Sequence, residues 1–584
     1  WQSHGIPRAR VTLREMAKDP KRSLIVIDPR KTETAALADV HLRVRPGADA
    51  WLLSALGAAL VQEDLLDHDW VAEHVVDANA PIEALRRIPV AEYCERAGVD
   101  ETDVRDVARR IAKAESVAVF EDLGVQMNRF STLNSYLEKL LWVLTGNFAK
   151  KGAQYIPTPV VSVAGNLDKL GAGVECRRSP VANERIISGL TPCNSIPSEI
   201  LSDHPKRYRA MIVESGNPAH SMADSQAMRD ALSSLDTLVV IDVAMTETAR
   251  LADYILPTPT QYEKAEATFF NFEFPHNYFH VRQPLLDAPE GVLPEAEIHA
   301  RLCEALGAFT EEDLAPLHAA LEQGRAALIP VFFSNVLSNP KLAPLAPVIL
   351  YRTLGPRLPK GMDSAAVVWG LCHQLATKFP KSLARAGFDG PNFVAAEKLF
   401  DAILENPSGI IFAVDEYEDG WARVSTPDGK IHASIPELLE ELGTLDEQEP
   451  GTQDRKYPFV LSAGERRSFT ANTIFRGPEW RKKDAQGHLR INPDDAGSLG
   501  IADGDRVRLS TKRGSVEVAV ELSEMMQPGH VSLPNGLGVE YGVGSGALEQ
   551  AGVAPNELTS TEDRDWLAGT PWHKHVPARI EAIA

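Results

Sequence analysis

Residues 24–39 read LIVIDPRKTETAALAD, and residues 238–253 read LVVIDVAMTETARLAD. In each copy a short apolar run ends on an aspartate, Asp28 or Asp242. Thr-Glu-Thr-Ala begins four residues later and is followed by Leu-Ala-Asp, at the same spacing in both copies. Leu24–Ile27 and Leu238–Ile241 are unbroken apolar runs, suited to strands buried on both faces. The aspartate falls where each strand should end, and the next segment opens a short helical turn with threonine as its N-cap. Open α/β sheets bind ligands beyond the carboxyl ends of their strands. An aspartate there can accept hydrogen bonds from a ribose or from a guanine edge. One copy alone would be a common strand–turn–helix with a capping threonine. Two copies with the same tail point to two related nucleotide sites in two related domains.

Around these units the pattern alternates helical and short apolar segments up to about residue 160. Ser116–Phe120 is expected as a further buried strand, leading into Glu121-Asp122-Leu123-Gly124. Phe130–Leu144 has helical spacing and stops at Thr145-Gly146-Asn147, a C-cap signal. Residues 208–214 form another strand, closed by Ser215-Gly216-Asn217-Pro218, a turn suited to close backbone approach. Residues 310–450 are rich in Leu, Ala and Pro and read as a helical insertion packed on the surface, with the acidic run Glu440–Gln453 as a linker. From about residue 455 the pattern turns to β. Val507 and Leu509, then Val516, Val518 and Val520, alternate with polar residues around Lys512-Arg513-Gly514, a hairpin signature. Short strands at this spacing predict a small barrel.

The chain has 584 residues and a formal net charge of −21, which argues against general binding to nucleic acid or acidic membranes. No apolar run is long enough to span a bilayer. Cys94, Cys176, Cys193, Cys303 and Cys372 are scattered, with no C-x-x-C pair. That argues against a disulfide framework and against a zinc or iron–sulfur site made within these residues. The sequence begins at Trp1 and shows no targeting signal; a preceding segment is expected.

Taken in order, several segments resemble the dimethyl-sulfoxide-reductase superfamily of molybdopterin oxidoreductases, on its formate-dehydrogenase and assimilatory-nitrate-reductase side. They are VIDPRKTETAALAD with RPGAD, EDLGVQMNR with LLWVLTGNFAKKG, GNPAHS, VVIDVAMTETARLADYILPTPTQYEK, INPDDAGSLGIADGDRV and PNELTS. The resemblance implies an α/β fold. Two related Rossmann-like αβα domains (1–165 and 166–310) would each bind one pterin guanine dinucleotide. A helical insertion and linker (311–454) would follow, then a six-stranded double-psi-like dinucleotide-binding β-barrel (455–584). It implies a Mo-bis(molybdopterin guanine dinucleotide) cofactor, with tungsten as the alternative metal. A 4Fe-4S cluster is implied in a preceding segment or a partner, as is a protein electron partner for a small-molecule substrate in the cytoplasm. The segment that supplies the family's metal ligand is not among these residues, so no metal ligand is assigned. The region AGNLDKLGAGVECRR departs from the formate-dehydrogenase pattern. A cofactor-free scaffold subunit and a non-redox hydratase are the alternatives on the same scaffold.

Residue by residue, the resemblance assigns one nucleotide to Asp28, Pro29, Arg30, Thr32, Gly47 and Asp49. It assigns the other to Asn217, Ile241, Asp242 and Lys264, although Lys264 can equally be a surface lysine paired with Glu263 or Glu266. Leu123, Gly124, Gln126 and Met127 match the pterin-side turn, with Gln126 one place earlier than the family's glutamine. The alternative there is a plain turn with Met127 in the core. Arg466, Arg467, Ser468, Asn472 and Thr473 match a loop over both pterins, arginine suiting a diphosphate through its planar fork. Asn556 and Lys574 match late cofactor contacts. Residues 184–205, with Cys193 and His204, read as a packed loop, with the lining of a substrate funnel as the alternative, and His220 reads as a loop histidine.

Overall fold

The computed structural model describes residues 8–161, 177–269, 273–452, 454–465, 476–480, 484–543 and 547–583. The first repeat forms strand β1 (Ile25–Ile27), parallel to β2 (Val40–Leu42), with Ile25 opposite Val40 and Ile27 opposite Leu42. β1 is half-buried, not sealed on both faces. After β2 comes helix α1 (Asp49–Gln62), an Ala- and Leu-rich segment buried on nearly every side, as a helix apolar all round should be. Asp49 occupies its first turn, where a carboxylate meets the positive end of the helix dipole. Helices α2 (Val90–Ala97), α3 (Glu101–Lys113) and α4 (Ser131–Val143) pack against α1 and complete one core around Trp51, Leu56 and Tyr93. Asp100 caps α3 through the Thr102 N–H, and Gly146 takes a positive φ just past α4.

Ser116–Phe120 makes no strand, contrary to the expectation. Its backbone groups go to side chains instead: Val117 N–H donates to Asn147, and the Val119 carbonyl accepts from Gln154. An apolar run becomes a strand only where a neighbouring strand offers a ladder.

The second repeat belongs to a three-stranded parallel sheet of β3 (Ala210–Glu214), β4 (Thr237–Asp242) and β5 (Tyr254–Pro257), with β4 in the middle. Helix α5 (Ser225–Ser233) covers one face through Met228 and Leu232. Between the strand of residues 276–279 and residue 445 the chain is mainly helical, but it is not a surface appendage. Strand β6 (His276–Phe279) pairs antiparallel with β7 (Ile410–Val414). Phe279 and Phe412 lie in one core with Trp369 and Phe400 of the helices. The acidic stretch after residue 440 is not a linker over its whole length. A helix runs over Pro436–Thr444, its Leu438 and Leu442 join the α1 core, and Arg96 binds the carbonyls of Leu445, Asp446 and Gln448.

The last unit is a closed barrel of β8 (Phe459–Glu465), β9 (Leu489–Ile491), β10 (Arg506–Thr511), β11 (Ser515–Leu522), β12 (His530–Pro534) and β13 (Val576–Ala582). Its order is β8–β12–β9–β11–β10–β13, and β13 returns to β8. Two neighbouring pairs, β8/β12 and β9/β11, are parallel. The hairpin read around Lys512–Gly514 is β10/β11, with Val507 opposite Val518 and Leu509 opposite Val516. Closure pairs the strand edges with one another, the way barrels remove sticky edges.

Candidate functional site

Both repeats build the same local device. Asp28 ends β1 and accepts the Arg30 N–H at 2.8 Å. Asp242 ends β4 and accepts the Val243 and Ala244 N–H groups at 2.7 and 3.1 Å. Thr32 Oγ1 accepts from Ala35 N–H and Thr246 Oγ1 from Ala249 N–H, so the first threonine of each Thr-Glu-Thr-Ala caps the turn. Burial raises the pKa of both aspartates. Arg30 opposes the rise at Asp28, and the backbone donors oppose it at Asp242.

Around the first repeat, Asp28 and Asp49 converge from a strand end and a helix start. Burial pushes Asp49 up to about 7; Asp28 adds to the rise, while Asn128 donates to Asp49 at 2.7 Å. Gly47, at φ +84°, packs against the His575 imidazole, whose buried Nδ1 has no hydrogen-bond partner among the described residues. Arg30 donates to Glu465 at 2.5 Å, and Glu465 also takes Arg490 and Ser532, at the end of β8. The Pro29 carbonyl accepts from Gln527 and Arg43, which fastens the barrel to this unit. Leu123–Gln126 is a single helical turn capped by Asp122, and among the described residues nothing stands where a Cβ on Gly124 would point. Gln126 is exposed, Met127 is half-buried, and the Met127 carbonyl accepts the Lys574 N–H at 2.9 Å. Lys574 Nζ donates to the carbonyls of Ala463 and Gly464. Thus the turn, the Gly47 loop and the barrel meet in one place.

Around the second repeat, Ile241 is fully buried and Asn217 is fully committed. Asn217 Oδ1 accepts from Thr248 N–H and Oγ1, and Nδ2 donates to Glu247 at 2.6 Å. Glu247 also binds Arg476, which lies within electrostatic reach of Asp242. Lys264 is mostly buried and pairs with Glu295, with Glu266 at 3.9 Å; the carboxylate partner is therefore neither Glu263 nor mainly Glu266. Asn556 is buried and donates to the His220 carbonyl at 3.1 Å. Burial lowers the pKa of His220. Arg466, Arg467, Ser468, Asn472 and Thr473 lie outside the described residues.

Four residues not singled out above complete these clusters: Asn128, Glu247, Glu465 and Arg476. Glu247 is the glutamate of the repeat itself and is held by Asn217, Arg476 and the Glu540 N–H, whereas its counterpart Glu33 is exposed. Residues 184–205 begin as a packed loop, with Arg185 over Trp566 and Glu184 paired with Arg564, but Ile196–Leu201 is a helix and not loop. Burial raises the Cys193 thiol pKa, as for an inert buried thiol, and His204 is exposed. Among the described residues no three His, Cys, Asp or Glu side chains are grouped to hold a metal, and no helix is long and apolar enough to cross a membrane.

Comparison with known families matches residues 4–305 to the model described as "Molybdopterin oxidoreductase" and residues 459–577 to "Molydopterin dinucleotide binding domain". The chain belongs to the molybdopterin oxidoreductase family. Among its relatives in this family, the F420-dependent formate dehydrogenase 2 subunit alpha of Methanococcus maripaludis is 24% identical over 88% of this chain and 67% of its own length. Formate dehydrogenase H of Escherichia coli is 24% identical over 97% of this chain and 70% of its own. The nitrate reductase of Symbiobacterium thermophilum is 25% identical over 88% and 64%. Acetylene hydratase from Pelobacter acetylenicus shares the fold, with a TM-score of 0.66 at 17% identity, over 96% of this chain and 74% of that one. Family membership and these relatives make this molybdopterin oxidoreductase an enzyme of redox chemistry.

Proposed function

We propose that this chain carries a Mo- or W-bis(molybdopterin guanine dinucleotide) and performs two-electron redox of a small substrate. The observation that carries the reading is the pair of equivalent strand-end aspartates, Asp28 and Asp242, each reached by an arginine linked to the barrel. Arg30 joins Asp28's loop to Glu465, and Arg476 lies by Asp242. The donor set suits such a group. Two aspartates end parallel strands, Arg30 and Arg476 lie within electrostatic reach of them, Lys264 is held by Glu295, and among the described residues His575 Nδ1 is buried without a hydrogen-bond partner beside Gly47.

In this reading Asp28, Pro29, Arg30, Thr32, Gly47 and Asp49 hold one dinucleotide. Ile241, Asp242 and Lys264 hold the other, with Asn217 bracing the turn beside them. Leu123, Gly124, Gln126 and Met127 line the pterin between them, with Arg466, Arg467, Ser468, Asn472, Thr473, Asn556 and Lys574 on the barrel side. The cofactor supplies the two-electron chemistry; the protein supplies binding, orientation and electrostatics. Domains at 1–165, 166–310, 311–454 and 455–584, a 4Fe-4S cluster outside these residues, a protein electron partner and a cytoplasmic location belong to the same reading. The relative named as a subunit alpha supports the partner.

The test is to purify the native full-length protein without air, measure Mo, W and Fe per chain by mass spectrometry, and release the pterin for nucleotide analysis. One metal with paired GMP equivalents is the expected result. No metal and no pterin, from a host that makes the cofactor, would leave a scaffold subunit as the better account.

A further inference from the structure

Asn128 lies between the exposed turn at Leu123–Gln126 and helix α4, and it is buried. Its amide is held at both ends. Oδ1 accepts the Arg129 N–H at 2.9 Å, and Nδ2 donates to Asp49 Oδ2 at 2.7 Å. A flipped amide would set NH2 against an N–H and a carbonyl oxygen against a carboxylate. Both hydrogen bonds would be lost and two repulsions made. The donor therefore has to face Asp49.

Asp49 needs that donor. It is buried, and among the described residues its favourable partners are Asn128 and its own backbone N–H, while Asp28 opposes its ionisation. Among the described residues the charged groups around the pair are few. Arg30, His41 and Glu465 act on Asp28 from their own elements. Arg129 follows Asn128 in the chain, and the His575 ring, kept neutral by burial, packs on Gly47. A guanine edge presents two N–H donors. Hypoxanthine presents one, and adenine presents an acceptor in the same place. A carboxylate with both oxygens accepting matches guanine alone, and each oxygen has a lone pair to spare for a second donor.

We infer that Asn128 is a positioning residue that sets base specificity: its amide keeps Asp49 an acceptor, so that the site at the first repeat takes guanine over hypoxanthine or adenine. The inference rests on the proposed dinucleotide reading of that site. Removing the amide leaves Asp49 a buried acid with one fewer donor, and a neutral carboxyl puts an O–H where the base puts an N–H. Burial already pushes Asp49 up to about 7 with Asn128 in place. Raising the pH must therefore restore the acceptor in a variant, whereas a packing defect would not respond to pH.

The experiment is calorimetric titration of the full-length chain, in cofactor-free form, with GDP, IDP and ADP between about pH 6 and about pH 9. Wild type should prefer GDP, most strongly above about pH 7, where Asp49 is ionised. Asn128→Ala should lose roughly tenfold of the GDP-over-IDP preference near neutral pH, equivalent to about 1.4 kcal/mol, and recover it as pH rises. Asn128→Ser, whose hydroxyl can donate, should be intermediate. If the alanine variant does not fold, Asn128→Leu, of nearly the same shape and without a donor, carries the same comparison. A retained preference, or a loss independent of pH, overturns the role of Asn128. If Asp49→Asn abolishes the preference while Asn128→Ala does not, only the inference about Asn128 falls. If Asp49→Asn also changes nothing, or wild type does not bind GDP, the dinucleotide reading of this site falls and the inference with it.

Discussion

Arg423 Nη2 donates to Asp415 Oδ1 at 2.7 Å, in an ion pair whose side chains are 6% and 0% exposed. Three segments meet on that carboxylate. Thr158 donates through its N–H and hydroxyl, Asn277 donates from β6, and Arg423 lies over the Phe379 ring. Asp415→Ala would leave a guanidinium buried and unpaired, at a cost of about 3–5 kcal/mol. Chemical denaturation should show the loss. Replacing both residues together, Asp415→Asn with Arg423→Met, should cost less than the sum of the single changes. Additive single effects, or a loss below about 1 kcal/mol, would refute the clasp.

Gly47 joins β2 to α1 at φ +84°, and a Cβ there would lie 2.4 Å from His575 Nδ1. The imidazole is buried and has no solvent to move into. Gly47→Ala should destabilise the chain by about 1–3 kcal/mol, from backbone strain and from the displaced ring. A melting profile equal to wild type would show that the loop and His575 separate freely.

Burial holds His530, His573 and His575 neutral, with pKa values pushed down to about 3, about 4 and about 3. The unfolded imidazoles take a proton near pH 6.5, so the stability they contribute is present above that pH and is lost as pH falls toward 4. His573→Gln should reduce the steepness of acid destabilisation in that window by about one proton. Glu441 has the opposite sign. Burial, aided by Asp565, pushes it up to about 7, so its contribution is present below about 4.5 and is lost as pH rises through 7. Glu441→Gln should therefore gain on wild type between pH 5 and pH 8. Melting curves across pH check both; parallel curves for wild type and variant would contradict either assignment.

If Asp28 and Asp242 serve separate nucleotides, Asp28→Asn and Asp242→Asn should each reduce GMP released per chain by about half, and the double variant should release almost none. Loss of all nucleotide in one single variant, with folding intact, would mean that the two sites do not load independently.

Much of this arrangement was legible along the chain, because it is local. The paired aspartate–threonine units, the end of α4 at Gly146 and the β10/β11 hairpin all follow from spacings of a few residues. What was not legible depends on partners hundreds of positions away. Arg30 meets Glu465, Arg476 meets Glu247, and Leu438 and Leu442 enter the α1 core; no local periodicity encodes such pairings. Ser116–Phe120 misled for the same reason, since its composition suits a strand but no neighbouring strand pairs with it. Glu440–Gln453 misled because charge was read as solvation, whereas Tyr93 donates to Asp446 and Arg96 gathers the carbonyls around it.

The barrel's closing strand also orders events in time. β13 pairs with both β8 and β10, so neither edge is satisfied until residues 576–582 have been made. A growing polypeptide therefore passes through a stage in which both strand-end aspartates exist while the roof over Arg30 is still an open sheet. Until then both edges can pair with a strand of another chain, as unpaired strand edges do.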